Sequence, residues 1–349
     1  MADALLSPAV GVGMLAFSAA AIGLSVKKIS STSLSPAEAS PDDKKIPMMG
    51  VMGAFVFAGQ MINFSIPGTG SSGHIGGGIL LAAILGPFPA LITLASILLI
   101  QCLFFADGGL LAWGCNVFNM GVIPCLVVYP LIYRPLVRSG LNRKRIVSAS
   151  IVSVVAGLQA GAFCVVLETL LSGITEIPFG AFVLLMQPIH LAIGIVEGIV
   201  TAAVLCYVYG ARPEILEAGA EPAPAAAKAA RKQSPWKLPL IFAALSLVIG
   251  AVLSLFASSY PDGLEWSLEK TAGTAELERS GPVYEAASSV LEKTAFLPGY
   301  AFPGGDDSDA AAGTAVSGIA GSIITLLLVC GIGFAIYAFR RKTAAGARP

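Results

Sequence analysis

Only two histidines occur in the 349 residues, and both lie in surroundings where an imidazole is unexpected. His74 falls in Asn63-Phe64-Ser65-Ile66-Pro67-Gly68-Thr69-Gly70-Ser71-Ser72-Gly73-His74-Ile75-Gly76-Gly77-Gly78, a glycine-rich stretch between apolar runs. Irregular backbone at membrane depth survives only where protein or a water-filled cavity satisfies its polar groups. Glycines also let a backbone approach a ligand closely. An imidazole in such a place suits nickel, cobalt, copper or zinc. The bland alternative is a loop histidine bonded to a backbone carbonyl. His190 lies within the apolar run 180–209, with Gln187 before it and Glu197 after it. Ionisable side chains inside a bilayer are costly and face a bundle interior or a cavity. Their spacing puts His190 and Glu197 on one helix face about 10 Å apart, too far for direct contact. Gly194 between them suggests close helix packing. A structural polar network and a part in a transport path both fit. Glu168 and Asp107 fall near expected span ends, where solvated positions are expected.

Other chemistries lack their motifs. The sequence has no GxxxxGK[ST], no HExxH and no GxSxG. ATP hydrolysis through a P-loop, a zinc protease site and a nucleophile elbow are therefore excluded, and a membrane enzyme has no motif behind it. Cys102, Cys115, Cys125, Cys164, Cys206 and Cys330 all lie in apolar segments without CxxC spacing. They read as small buried hydrophobes rather than disulfides or thiolate ligands. The formal net charge is zero, which leaves no basic footprint for nucleic acid.

Composition fixes what must hold these residues. Hydrophobic residues make up 56% of the chain and charged residues 12%, against about 25% charge in soluble domains. Apolar stretches recur throughout, as expected of an all-α, polytopic helical membrane protein. The first apolar run, 6–26, has Asp3 before it and Lys27 and Lys28 after it. That order is unlike a signal peptide and predicts a retained span. Basic residues cluster at 27–28, 44–45, 134–145, 212–237 and behind the last apolar run, so these places are assigned to the inside. The acidic segment 259–315 is assigned outside, as is the amino terminus. One span cannot absorb the apolar sequence 79–136. Three spans restore parity, broken at Gly86-Pro87-Phe88-Pro89 and at Ala106-Asp107-Gly108-Gly109, the first of them short or partly re-entrant. The expectation is a seven-span bundle in 1–210, a cytoplasmic linker rich in Ala and Pro at 211–236, and a two-span unit with an external loop in 237–345.

Several motifs carry a family resemblance. Lys45-Ile46-Pro47-Met48-Met49-Gly50, Gln60-Met61-Ile62-Asn63-Phe64 and Pro67-Gly68-Thr69-Gly70-Ser71-Ser72-Gly73-His74 resemble the CbiM/NikM family. So do Phe105-Ala106-Asp107-Gly108-Gly109-Leu110, Gly114-Cys115-Asn116-Val117-Phe118-Asn119-Met120-Gly121 and His190-Leu191-Ala192-Ile193-Gly194-Ile195-Val196-Glu197-Gly198. These are the substrate-capture (S) components of energy-coupling-factor transporters for cobalt and nickel. Pro261-Asp262-Gly263-Leu264-Glu265-Trp266 is similar to the PDGLE domain, which resembles the two-span accessory N component. Its acidic loop is expected either to guide cations and touch the capture site or simply to be solvated.

The resemblance implies seven spans with the amino terminus outside, in a prokaryotic cell (inner) membrane, with the carboxyl terminus cytoplasmic. It implies metal held by four nitrogens: the terminal amine of Met1, the amide and the ring of a histidine at position two, and the loop histidine that matches His74. Four nitrogens in a plane favour Ni(II), and a related set takes Co(II). The chain begins Met1-Ala2-Asp3-Ala4, whereas such relatives usually begin Met-His-Met-Ala-Asp-Ala; the expectation is a natural start two residues upstream. As written, Met1 and His74 are the residues carried over. The ion is cargo, and no bound cofactor is expected. Expected partners are a transmembrane coupling (T) component and two cytoplasmic ATPases, docked on the inner basic loops, with the lipid bilayer around them. The rival expectation is a non-transporting structural or assembly subunit with a degenerate site.

Overall fold

The structure, a computed structural model, describes residues 1–31, 45–216, 236–274, 277, 279–304 and 310–346. The polar loop after the first helix and most of the expected linker lie outside these residues. Eleven helices form the described body: α1 (Pro8–Ser31), α2 (Lys45–Gln60), α3 (Gly78–Leu85), α4 (Pro87–Phe105), α5 (Trp113–Arg138), α6 (Arg143–Ser172), α7 (Phe179–Ala211), α8 (Lys237–Ala251), α9 (Gly263–Ala272), α10 (Pro282–Thr294) and α11 (Ala310–Gly346). Short pieces such as Pro213–Leu216 are left unlabelled. A two-stranded ribbon, β1 (Phe64–Ile66) with β2 (Ser71–Gly73), interrupts the helical order.

Six of these helices are long and apolar enough to cross a membrane: α1, α4, α5, α6, α7 and most of α11. Val12, Phe17 and Leu24 stay exposed on α1, as suits a face turned to lipid. Helices α2 and α8 are apolar but shorter. Helix α3 has eight residues, all buried. At 1.5 Å per residue it is about 12 Å long, less than half of the roughly 30 Å hydrocarbon layer. The short, glycine-preceded element expected here is thus a half-length helix held wholly by protein.

The breaks follow local chemistry. Gly86 has φ +87° and Pro87 opens α4 at its first turn, where a missing N–H costs nothing. Ala106, at φ +51°, closes α4 before Asp107-Gly108-Gly109. Pro124 and Pro130 lie inside α5, where the stretch Phe118–Tyr133 is wound as a π-helix. Helices α6 and α7 pack along their length, while α8 and α11 pack on α2. Gly250 and Gly318 meet backbone to backbone, and a Cβ on Gly318 would lie 2.3 Å from the Gly250 oxygen. Small residues at such crossings let helices approach closely in a bilayer.

Candidate functional site

The glycine-rich stretch is not irregular throughout. Register pairs Phe64 with Gly73, Ser65 with Ser72 and Ile66 with Ser71. The turn between the strands contains Gly68 at φ +78° and Gly70 at φ +75°, conformations open to glycine at no steric cost. Small polar Ser71 and Ser72 are buried, and a Cβ on Gly73 would lie 2.4 Å from Ile193 Cγ1 of α7. The ribbon therefore reaches the inner face of α7 because its residues are small.

His74 follows β2, and the chain then enters α3 through Gly76 and Gly77. Glu197 of α7 accepts the Gly76 amide at 2.8 Å and the Gly77 amide at 2.9 Å. It thus satisfies free donors at the start of α3 with its two oxygens. His74 Nδ1 lies 3.1 Å from the Ile75 carbonyl. A carbonyl only accepts, so Nδ1 carries the proton and Nε2 keeps its lone pair. His190 Nδ1 meets the Met186 carbonyl at 2.8 Å on its own helix, which leaves its Nε2 in the same state.

At the other end of the chain segment, the Met1 carbonyl accepts from the Gly109 amide and from Asn116 Nδ2, each at 3.3 Å. Asp3 Oδ1 accepts the Ala112 amide at 2.7 Å. Burial raises the Asp3 carboxyl above its usual value, against the pull of the Ala112, Leu111 and Leu110 amides. Only a glycine fits at 109, since a Cβ there would lie 1.7 Å from Asp3 Oδ1. Leu5 and Leu6 are fully buried, and the Leu6 carbonyl accepts from the Tyr284 hydroxyl of α10 at 2.8 Å.

A partly open cavity of about 160 Å³ lies between the amino terminus, the His74 loop and α7. Met1, His74, Asn119, His190, Glu197 and Asp262 are among its lining residues. Met1 and His74, the two residues carried over from the resemblance, are thus both at its wall. His190 and Glu197 share the cavity, but Glu197 serves the loop rather than His190. No group of three His, Cys, Asp or Glu side chains able to hold an ion occurs among the described residues. The six cysteines are free, and none lines the cavity.

One expectation changes. Glu168 is not solvated: it is 5% exposed and takes a 2.8 Å hydrogen bond from Asn119 Nδ2. Reading it as a span end missed that its helix continues to Ser172 and that α5 lies against it. Asp107 is exposed as expected, but the Tyr300 hydroxyl donates to it. The acidic segment 259–315, expected either to touch the capture site or to be solvated, is no free loop at its start. Ser72 donates its amide to the Pro261 carbonyl at 2.8 Å and its hydroxyl to the Tyr260 carbonyl at 2.7 Å. Trp266 Nε1 donates to the Thr69 carbonyl at 3.0 Å. Asp262 caps α9 through the Leu264 and Glu265 amides. A Cβ on Gly263 would lie 3.1 Å from His190 Cε1. Asn119 went unread as a site residue, because an amide in an apolar run gives no pattern until its partner is known.

Comparison with known proteins places this arrangement. Residues 1–215 match the family model for the cobalt uptake substrate-specific transmembrane region, and residues 236–338 match the PDGLE domain. The fused nickel transport protein NikMN of Rhodobacter capsulatus is 32% identical over 269 residues, covering 73% of this chain and 72% of its own. The cobalt transport protein CbiM of Sorangium cellulosum is 31% identical over 182 residues, 49% of this chain and 76% of its own. A crystal structure of a transition metal transporter is 31% identical, with a TM-score of 0.51, over 60% of this chain and 92% of that one. The family model spans more than half of the sequence, so the chain belongs to the CbiM family, with a PDGLE domain following in the same polypeptide.

Proposed function

We propose that this chain captures Co(II) or Ni(II) as the substrate-binding component of an energy-coupling-factor importer. The ion enters from outside and is held by the terminal amine of Met1 and by His74 Nε2. The observation that carries this reading is that Met1 and His74 line one cavity. Its supports are the Ile75 carbonyl, which fixes the His74 tautomer, and Glu197, which fixes the loop. Nitrogen ligands suit both metals. They must be unprotonated to bind, so uptake releases protons.

The chain carries no nucleotide-binding motif. In this reading the energy comes from two cytoplasmic ATPases through a transmembrane coupling protein, which meet the basic inner loops at 134–145 and 212–237. The amino terminus lies outside and the carboxyl terminus inside. Residues 1–210 form the capture unit, 211–236 the linker and 237–345 the accessory unit. Uptake of radiolabelled metal by cells carrying the full system tests the proposal. His74→Ala is expected to abolish uptake, and unchanged uptake would contradict it.

A further inference from the structure

A line of polar side chains, buried at Gln60 and Gln101, runs from the accessory unit to the His74 loop. Gln101 of α4 and Gln60 of α2 are 7% and 6% exposed, in helices that are mostly apolar. Gln101 Nε2 donates to Gln60 Oε1 at 2.9 Å, and Gln60 Nε2 donates to the Gly76 carbonyl at 2.9 Å. Gly76 in turn donates its amide to Glu197. In the other direction the Gln101 carbonyl accepts the Asp107 amide at 3.0 Å, the Gln101 side chain faces the Tyr300 hydroxyl, and that hydroxyl donates to Asp107. The line thus begins and ends on carboxyl groups, Asp107 and Glu197. Hydrogen bonds in such a chain polarise and strengthen one another.

Backbone strain marks one end of this line. Ala106 at φ +51° and Tyr300 at φ +63° are the two non-glycine residues with positive φ among the described residues. One is Asp107's neighbour and the other is Asp107's partner. Such conformations are unfavourable for residues with a Cβ and persist only where surrounding contacts hold them. Burial, then the Asp107 carboxylate, keep the Tyr300 hydroxyl well above the ordinary phenol value, so it remains a donor.

We propose that Gln60 and Gln101 are positioning residues that couple the Tyr300–Asp107 contact to the placement of Gly76, and through it to His74. Resting on the capture role assigned above, the coupling sets metal affinity without any of the four side chains touching the ion. Two routes hold the loop: Glu197 grips its amides and Gln60 its carbonyl. The second route is the one that the segment after the PDGLE motif can strengthen or release.

The test uses the purified full chain, Ni(II) titration calorimetry, and amide hydrogen exchange of peptides covering 70–80. Gln60→Met keeps side-chain length and removes both hydrogen bonds; Tyr300→Phe removes one hydroxyl at the far end. Gln60→Met is expected to weaken Ni(II) binding by about tenfold, the worth of one buried hydrogen bond. Both variants are expected to speed exchange at Gly76–Gly78 while the rest of the bundle keeps its protection. Tyr300→Phe is expected to weaken binding in the wild-type background and to add nothing to Gln101→Met. Full additivity of those two changes, or unchanged loop exchange in Gln60→Met, would overturn the coupling. If wild-type protein binds no Ni(II) or Co(II), the capture role fails instead, and the exchange data still decide the coupling. A variant that lost protection across the whole bundle would be set aside for Gln60→Leu in the same assays.

Discussion

The Glu197 carboxylate accepts the Gly77 amide at 2.9 Å across 120 residues of sequence. With the 2.8 Å bond to Gly76 it replaces solvent for two backbone donors inside the bundle. Glu197 is 2% exposed, so a truncated side chain leaves both amides bare. Glu197→Ala is expected to destabilise the chain by about 2–4 kcal/mol, the penalty for two unsatisfied buried donors. Glu197→Gln keeps one acceptor oxygen and is expected to lose about half as much. Thermal unfolding in detergent checks the ranking, and hydrogen exchange at Gly76 and Gly77 locates it.

The Asn119–Glu168 pair gives an asymmetric prediction. Asn119→Leu leaves a buried carboxylate without its amide donor, and is expected to cost about 3 kcal/mol. Removing both partners, as Asn119→Leu with Glu168→Leu, is expected to be milder than Asn119→Leu alone, since no polar group is then stranded. A double-mutant cycle on unfolding temperature checks this; equal or greater loss in the double variant would contradict it.

Gly109 faces Asp3 with no room for a methyl group. Gly109→Ala is expected to push the amino-terminal segment off the 109–112 backbone, weakening metal binding by about a hundredfold if a ligand is displaced from its place. Stability is expected to fall by no more than about 1–2 kcal/mol, because the change lies in a loop. Calorimetry beside a thermal melt separates the two effects.

Acidity acts in two opposite ways. Burial raises the Asp3 carboxyl, so the folded chain binds this proton more readily than the unfolded chain. Its contribution to stability is therefore fully present below the ordinary carboxylate value, and is lost as pH rises through the raised one. Metal binding runs the other way, since the amine and imidazole must be in their neutral forms to bind. Affinity is expected to fall on acidification while the docked terminus is retained. Titrations in buffers of different ionisation enthalpy are expected to show net proton release on binding.

Much of the fold was legible because bilayer physics constrains sequence strongly. Gly86-Pro87 and Ala106-Asp107-Gly108 divide the apolar stretch 79–136 where α4 begins and ends. The ribbon was not legible: Phe64–Ile66 and Ser71–Gly73 are three residues each, too short for an alternating pattern to stand out. His74 could be singled out because glycine and proline around it forbid an ordinary helix. Glu197 could be marked as costly but not assigned, since its partners are backbone amides that no side-chain pattern encodes. Gln60 and Gln101 lie on different helices, and only packing brings their amides within 2.9 Å. The contact between Ser72 and Pro261 joins distant segments in the same way.

X-ray absorption of the Ni(II)-loaded chain tests the central claim most directly, because imidazole leaves its own scattering signature around the ion. The account predicts imidazole scattering in the wild type, its loss in His74→Ala, and its retention in His190→Ala. Scattering that survived His74→Ala unchanged would contradict it.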